Sequence, residues 1–72
     1  MVETYGQRVR AIRARLGMTQ KQLGEALGRT RGMVASVEIG AVRFGRDTER
    51  KLAQLAIVPR DYLTDAPLKA AE

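Results

Sequence analysis

Residues 19–38 have the sequence TQKQLGEALGRTRGMVASVE, a pattern that predicts two short helices joined by a tight turn. Thr19 is suited to cap the first helix, and Gln22, three residues later, completes a capping box. Gly28 stands where the end of a helix favours a residue that tolerates positive φ. Thr30 then offers the N-cap of a second helix. A helix, a glycine-containing turn and a second helix form the helix-turn-helix arrangement.

Apolar spacing gives each of these two helices one face suited to burial. Leu23, Ala26 and Leu27 fall on one side of the first helix. Val34 and Val37, three residues apart, share one side of the second helix. The spacing therefore predicts that both helices pack against a common core.

In its details this stretch resembles the helix-turn-helix domain of phage repressor and Cro-type regulators, the XRE-like family. The family pattern is Thr/Ser-Gln-x-x-Leu-Ala-x-x-Leu/Val-Gly, a short turn, and a helix that ends in Glu-x-Gly. The chain has Gly24 where the family usually has alanine. It matches the pattern at Thr19, Gln20, Leu23, Leu27, Gly28, Glu38 and Gly40. The resemblance covers roughly residues 5–63 and implies an all-α, lambda-repressor-like DNA-binding domain of about five short helices.

A first helix is predicted before this motif. Thr4 and Gln7 form a second capping box, and Gly17 ends the helix. Between them runs an apolar stripe at helical spacing, formed by Tyr5, Val9, Ile12 and Leu16.

After the motif the sequence predicts two more helices. The fourth helix is expected to be capped by Asp47 or Thr48, and a short fifth helix is expected to begin at Pro59. Ile57 stands where family members often end the fourth helix with a glycine, and Phe44, the one phenylalanine, is predicted to lie in the core. The apolar face of the fourth helix is predicted to consist of Leu52, Leu55 and Ala56.

The length of 72 residues allows one domain, so residues 1–72 are predicted to form a single helix-turn-helix domain. Its core is expected to span about residues 4–63, and residues 64–72, with Pro67 and small residues, are predicted to form a loose tail. The core of so small a domain gives only marginal stability, and dimer formation would add to it.

The composition excludes several kinds of site. The chain contains no cysteine and no histidine, which removes disulfides, Cys/His metal sites and catalysis by either side chain. No apolar run is long enough to span a membrane, and no signal-peptide pattern is present. We therefore expect a cytoplasmic protein that is not an enzyme and uses no metal, cofactor or small-molecule effector.

The net charge of +5 is unevenly placed along the chain. Residues 1–46 carry a net charge of +6, whereas residues 47–72 carry a net charge of −1. A basic half predicts one surface for a polyanion, and the near-neutral half is suited to another contact. The plainer interpretation is a soluble surface with a local excess of arginine.

The resemblance implies that the motif's second helix, about residues 30–37, is a recognition helix that enters the major groove of double-stranded DNA. Arg31 is the strongest candidate for base contact, because a bidentate arginine–guanine pair is the commonest specific contact. The positions that match the family's base-facing residues are Arg31, Gly32, Met33 and Ser36. The candidate phosphate contacts are Gln20, Lys21, Arg29, Thr30, Arg43 and Arg46.

At Gly32 the sequence differs from many family members, which have longer polar side chains at more of the base-facing positions. A glycine costs about 1 kcal/mol in the interior of a helix, and somewhat less near its N-terminus. Three interpretations stay open. The glycine lets the backbone approach the groove closely, the groove face is weakly selective, or this face meets a protein.

Arg13 and Glu38 occupy the positions at which the family pairs an arginine of its first helix with the glutamate that ends its recognition helix. The resemblance implies a partly buried structural ion pair between them. The alternative is two independent surface charges.

The sequence thus predicts a DNA-binding transcriptional regulator, expected to be a small homodimeric repressor. The alternative is a protein-interaction module on the same scaffold, such as an antitoxin or an anti-repressor. The candidates for the dimer interface, which are equally suited to closing the monomer core, are Ile57, Val58, Tyr62 and Leu63.

Overall fold

A computed structural model describes residues 3–69, which form five α-helices and no strand. The helices are α1 (Tyr5–Leu16), α2 (Gln20–Leu27), α3 (Arg31–Glu38), α4 (Arg46–Ala56) and α5 (Asp61–Thr64). The all-α class and the five helices predicted from the sequence are confirmed. Within residues 3–69, no helix is both long enough and apolar enough to cross a membrane.

The caps of α2 and α3 form as the sequence predicts. The hydroxyl of Thr19 accepts a hydrogen bond from the backbone N–H of Gln22 at 3.1 Å, and the hydroxyl of Thr30 accepts one from the N–H of Met33 at 3.1 Å. Gly28 ends α2 in the left-handed region with φ 69°, where a side chain would be strained. The two N-cap hydrogen bonds and the left-handed glycine set where α2 begins and ends and where α3 begins.

The interior is built from apolar side chains of all five helices. Phe44, in the loop between α3 and α4, is buried as predicted. The prediction for Ala26 is wrong, because this residue is exposed. Successive residues of a helix are turned by about 100°, so Ala26 lies well to one side of Leu27. The largest fully buried side chains are Tyr5, Ile12, Leu23, Leu27, Leu52, Leu63, Val9, Val34 and Val37.

The start of α4 differs from the prediction. Gly45, and not Asp47 or Thr48, is the N-cap, with extended backbone (φ −68°, ψ 165°). Thr48 instead lies in the first turn, where its hydroxyl accepts a hydrogen bond from Nε of Arg29 at 3.0 Å. This bond ties the turn of the helix-turn-helix to α4.

The buried face of α4 and the start of α5 also differ from the prediction. Leu55 is 37% exposed, whereas Ala53 is buried beside Leu52. Leu55 is turned about 100° from Ala56 around the helix and so lies at the edge of the buried face. Pro59 does not begin α5; its carbonyl accepts a hydrogen bond from the N–H of Tyr62 in the turn that precedes the helix.

The prediction of a loose tail is wrong for residues 64–69. Ala66 is 1% exposed, and the carbonyl of Pro67 accepts a hydrogen bond from the N–H of Tyr5 at 2.8 Å. Leu68 packs against the core as well. This segment closes one side of the core because the start of α1 offers it a free backbone donor. Residues 70–72 of the predicted tail lie outside the described residues.

Gly6 allows α1 to approach the end of α3 closely. A Cβ atom at this position would overlap the backbone carbonyl oxygens of Val37 and Glu38. Because both of these atoms belong to a helical backbone, neither can move aside cheaply. The direct backbone contact between α1 and α3 therefore requires a glycine.

We predict that Gly6→Ala destabilises the domain by about 1–3 kcal/mol, since overpacking of this size forces a backbone shift. The measurement is urea unfolding followed by circular dichroism. The matched control is Gly32→Ala, because an added Cβ there meets only Oγ1 of Thr30 at 3.8 Å. The control should gain up to about 1 kcal/mol from helix propensity. Equal effects of the two substitutions would contradict the close approach at Gly6.

Candidate nucleic-acid interface

α3 presents its first turn to solvent and its opposite side to the core. Val34 and Val37 are fully buried, whereas Arg31, Gly32 and Met33 are exposed. Ser36, the fourth predicted base-facing residue, is half-buried. The exposed side of α3 is thus an arginine followed by two residues without hydrogen-bonding side chains.

A basic cleft lies beside this exposed side, at the beginning of α2. It is lined by Arg13, Thr19, Gln20, Lys21 and Arg31, so it joins the start of α2 to the start of α3. The first backbone N–H groups of a helix carry partial positive charge and favour an anion. Because Arg13 is paired with Glu38, the positive charge that this surface offers to an anion comes from Lys21, Arg31 and the N-terminus of α2.

Glu38, at the end of α3, is the centre of a polar network that orients this surface. Its Oε2 accepts a hydrogen bond from Nε of Arg13 at 2.6 Å, and its Oε1 accepts one from Nη2 of Arg13 at 3.2 Å. Oε1 also accepts a bond from Nε2 of Gln20 at 3.2 Å. Nε of Arg10 lies 3.5 Å from the same oxygen. One carboxylate thus joins α1, α2 and α3.

The surroundings of Glu38 favour its ionised form. The side chain is fully buried, and this burial alone would raise its pKa. The hydrogen bonds from Arg13 and Gln20, together with the charges of Arg13 and Arg10, outweigh burial and lower the pKa of Glu38. The same pairing raises the pKa of Arg13. The structure brings Arg13 and Glu38 together as a bidentate ion pair.

Gln20, a predicted phosphate contact, has one amide N–H engaged with Glu38. A glutamine amide has two N–H donors, so a second one is left for a ligand. Lys21 and Thr30, two further candidates, are exposed at the starts of α2 and α3. Arg46 is exposed in the first turn of α4.

Two other predicted phosphate contacts, Arg29 and Arg43, are exposed, and each also donates a hydrogen bond to another part of the domain. Arg29 donates from Nε to Thr48, as described above. Arg43 donates from Nη2 to the carbonyl of Ala66 at 2.8 Å, and its guanidinium lies 4.8 Å from the centre of the Tyr5 ring. Both arginines therefore hold parts of the fold together, Arg29 at the turn and Arg43 at the C-terminal segment.

A second polar cluster, which sequence reasoning missed, lies around Tyr5. The phenol O–H of Tyr5 donates to Oε2 of Glu49 at 2.6 Å, and burial together with this bond raises the pKa of Tyr5. Arg8, like Arg43, combines a hydrogen bond with a contact to a tyrosine ring. Its Nη1 donates to the carbonyl of Tyr62 at 2.6 Å, and its guanidinium lies 4.9 Å from the centre of the Tyr62 ring. Tyr5 and Glu49 are 44 residues apart, and no local pattern links positions so distant.

The predicted dimer candidates separate into two groups. Leu63 is fully buried, and Val58 and Tyr62 are half-buried and pack against the core. For Leu63 the alternative given by the sequence holds, since this residue is part of the buried core. Ile57 is 90% exposed and ends α4 in the left-handed region, with φ 56° and ψ 50°.

The helix-turn-helix domain family model matches residues 4–65 of the chain. The chain belongs to this family. Its helix-turn-helix domain therefore spans nearly all of the described residues, and the resemblance inferred from the sequence motif is confirmed.

Two curated relatives share this domain. They are uncharacterized HTH-type transcriptional regulators of Sinorhizobium medicae (strain WSM419) and Rhizobium meliloti (strain 1021), and each is 38% identical over 63 residues. The match covers 86% of this chain and 45% of each relative. The chain thus spans about half the length of the curated relatives it matches.

Two solved structures of the P22 c2 repressor share the fold of this helix-turn-helix domain. The crystal structure of that repressor with synthetic operator 9T matches with a TM-score of 0.80 at 24% identity, over 86% of this chain and 94% of that one. The solution structure of its DNA-binding domain matches with a TM-score of 0.80 at 22% identity, over 100% of this chain and 95% of that one. The lambda-repressor-like fold predicted from the sequence is confirmed.

We predict that Glu38→Gln lowers stability at neutral pH and flattens its acid dependence. The folded state holds the pKa of Glu38 below the unfolded value of about 4.3, so the network is fully stabilising above about pH 4.3 and is lost as pH falls through the folded-state pKa. The difference in urea midpoint between wild type and variant should narrow from about pH 5 to about pH 3. Glu25→Gln, at an exposed position of α2, is the control. A constant difference across this range would contradict the prediction.

Proposed function

We propose that this chain is the DNA-binding module of a transcriptional regulator and that α3 enters the major groove of double-stranded DNA. The observation that carries the proposal is the joint placement of the exposed first turn of α3 and the basic cleft at the start of α2. A recognition helix contacts base edges with its N-terminal residues, while the preceding helix crosses the phosphate backbone. This chain offers Arg31 to the bases and Lys21 with Gln20 to a phosphate.

In the proposed mechanism, α3 contacts the bases and the start of α2 contacts the phosphate backbone. Arg31 is long enough to form a bidentate pair with a guanine, which gives sequence preference. Lys21, Gln20 and the N-terminus of α2 fix the position of the domain on the backbone, which gives affinity without sequence preference. Glu38 holds α2 and α3 at a constant angle, so both contacts can form at once.

We further propose that the regulator acts as a homodimeric repressor. A single module buries little surface on DNA, and two-fold dimers bind half-sites about 34–36 Å apart. The face that contains Ile57 supports this proposal, because this apolar side chain is 90% exposed in the monomer and its burial against a second copy would be favourable. A protein bound across the start of a gene blocks transcription by occupying the site.

We predict that selection from a random duplex pool enriches a two-fold symmetric site and that Arg31→Ala relaxes one position of each half-site, at a cost of about 1–3 kcal/mol. Lys21→Ala should weaken binding to every sequence and reduce the log–log salt slope by about 0.9. Lys69→Ala, in the C-terminal segment, is the control for loss of one positive charge. Binding measured by fluorescence anisotropy over a range of salt concentrations separates the three variants. Failure of the wild-type chain to bind any duplex would refute the proposal and favour the protein-interaction alternative.

We predict that Ile57→Gly stabilises the monomer and weakens self-association. Glycine relieves the left-handed strain, which costs an ordinary residue about 1–2 kcal/mol, and removes the exposed side chain. Sedimentation equilibrium measures the association, and the unfolding midpoint at low protein concentration measures monomer stability. Ile39→Ala is the control, since Ile39 is 77% exposed on a different part of the surface. Unchanged association of Ile57→Gly would exclude this face as the dimer interface.

A further inference from the structure

Gly32 has no structural reason to be a glycine. It lies within α3, and a Cβ atom there would meet only Oγ1 of Thr30 at 3.8 Å, which is ordinary van der Waals contact. At Gly6 and Gly24, in contrast, a Cβ would meet backbone atoms at close range. An alanine at position 32 would favour the helix. The fold therefore accepts a side chain at this position, and contacts within the described residues give no reason for a glycine.

The surface around Gly32 is poor in hydrogen-bonding groups. Met33, the next residue, is apolar and 37% exposed. The hydroxyl of Thr30 already accepts the N–H of Met33, and Ser36 is half-buried. Arg31 is the only long polar side chain in the first turn of α3. Gly32 and Met33 together give the first turn of α3 an exposed apolar surface on which position 32 carries no side chain.

The major groove of DNA presents one apolar group that suits such a surface. Each base pair shows hydrogen-bond donors and acceptors there, and thymine adds its C5 methyl group. A methyl group in van der Waals contact with the Cα of Gly32 would occupy the space that a Cβ of alanine would take. Glycine at this position is then a steric requirement of the bound state.

We infer that Gly32 is a specificity-determining residue that admits a thymine methyl group against the Cα of α3, with Met33 beside it. This inference rests on the proposed function, since it names the base group that the proposed recognition helix accepts. It also chooses among the three interpretations left open by the sequence. The glycine permits close approach, and the contact it permits is selective.

The experiment replaces each thymine of the selected half-site, one at a time, by deoxyuridine, which lacks only the methyl group. Wild-type protein should lose about fourfold in affinity at one position, the effect of one buried methyl group. Gly32→Ala should bind the thymine duplex about fivefold or more weakly than wild type, the low end for the loss of one base contact. On the deoxyuridine duplex at that position, Gly32→Ala should recover binding, so its preference is reversed.

Two controls separate this effect from general damage. Gly32→Ala is expected to unfold at a higher urea concentration than wild type, so weaker binding cannot come from loss of fold. Ile39→Ala changes an exposed apolar residue directly after α3 and adds no side chain at position 32, so it should keep the wild-type preference for thymine over deoxyuridine.

The inference is overturned if Gly32→Ala keeps the wild-type affinity and the wild-type thymine preference. It is also overturned if no thymine of the half-site can be distinguished from deoxyuridine by the wild-type protein, or if the selected half-site contains no thymine. In these cases sequence-selective DNA binding itself is intact, so the proposed function stands. If the wild-type chain binds no duplex, the proposed function fails first and this inference fails with it.

Discussion

The buried carboxylate of Glu38 is the interaction on which the geometry of the candidate interface depends. α2 and α3 have eight residues each, too few to be stable as isolated helices, so tertiary contacts must fix their relative orientation. Glu38 binds Arg13 of α1 through both carboxylate oxygens and Gln20, the first residue of α2, through one. A buried carboxylate without these partners would be strongly unfavourable. The angle between the two helices of the motif is therefore tied to the pairing of a single charge.

Some arginines of this domain bind other parts of the fold, whereas Arg31 is exposed to solvent. The net charge alone does not distinguish these two groups. Arg8, Arg29 and Arg43 each bind a carbonyl or a hydroxyl of a distant segment, and two of them also stack on a tyrosine ring. Arginine suits this role because its planar guanidinium combines several donors with a surface that packs on aromatic rings. Arg31 is exposed at the start of α3 and makes no such bond within residues 3–69. A count of basic residues near the motif therefore includes arginines that already have a role in holding the fold together.

Local features of the sequence predicted the fold well. Of the long-range polar contacts, the Arg13–Glu38 pair was expected from the family resemblance, whereas the contacts of Tyr5 and Pro67 were not predicted. The capping boxes at Thr4 and Thr19 act within three residues, so their pattern is visible in the chain. The bond between Tyr5 and Glu49 and the docking of Pro67 on α1 depend on where five helices bring distant residues, and no spacing rule encodes that. The errors at Ala26 and Leu55 have a further cause. Each lies one helical step from a buried residue, where an apolar type alone does not decide burial.

Gly32 and Ile57 are the two positions at which local preference and the observed backbone disagree most clearly. A glycine inside a helix and an isoleucine in the left-handed region each lower the stability of the folded monomer. Gly32 has open space around it, and Ile57 is 90% exposed, so neither gains compensating contacts within the described domain. Sequences in which local and global preferences agree fold best, and departures concentrate where a function requires them. The two departures fall on the two surfaces that the proposed function assigns, Gly32 to the DNA groove and Ile57 to a second copy of the chain.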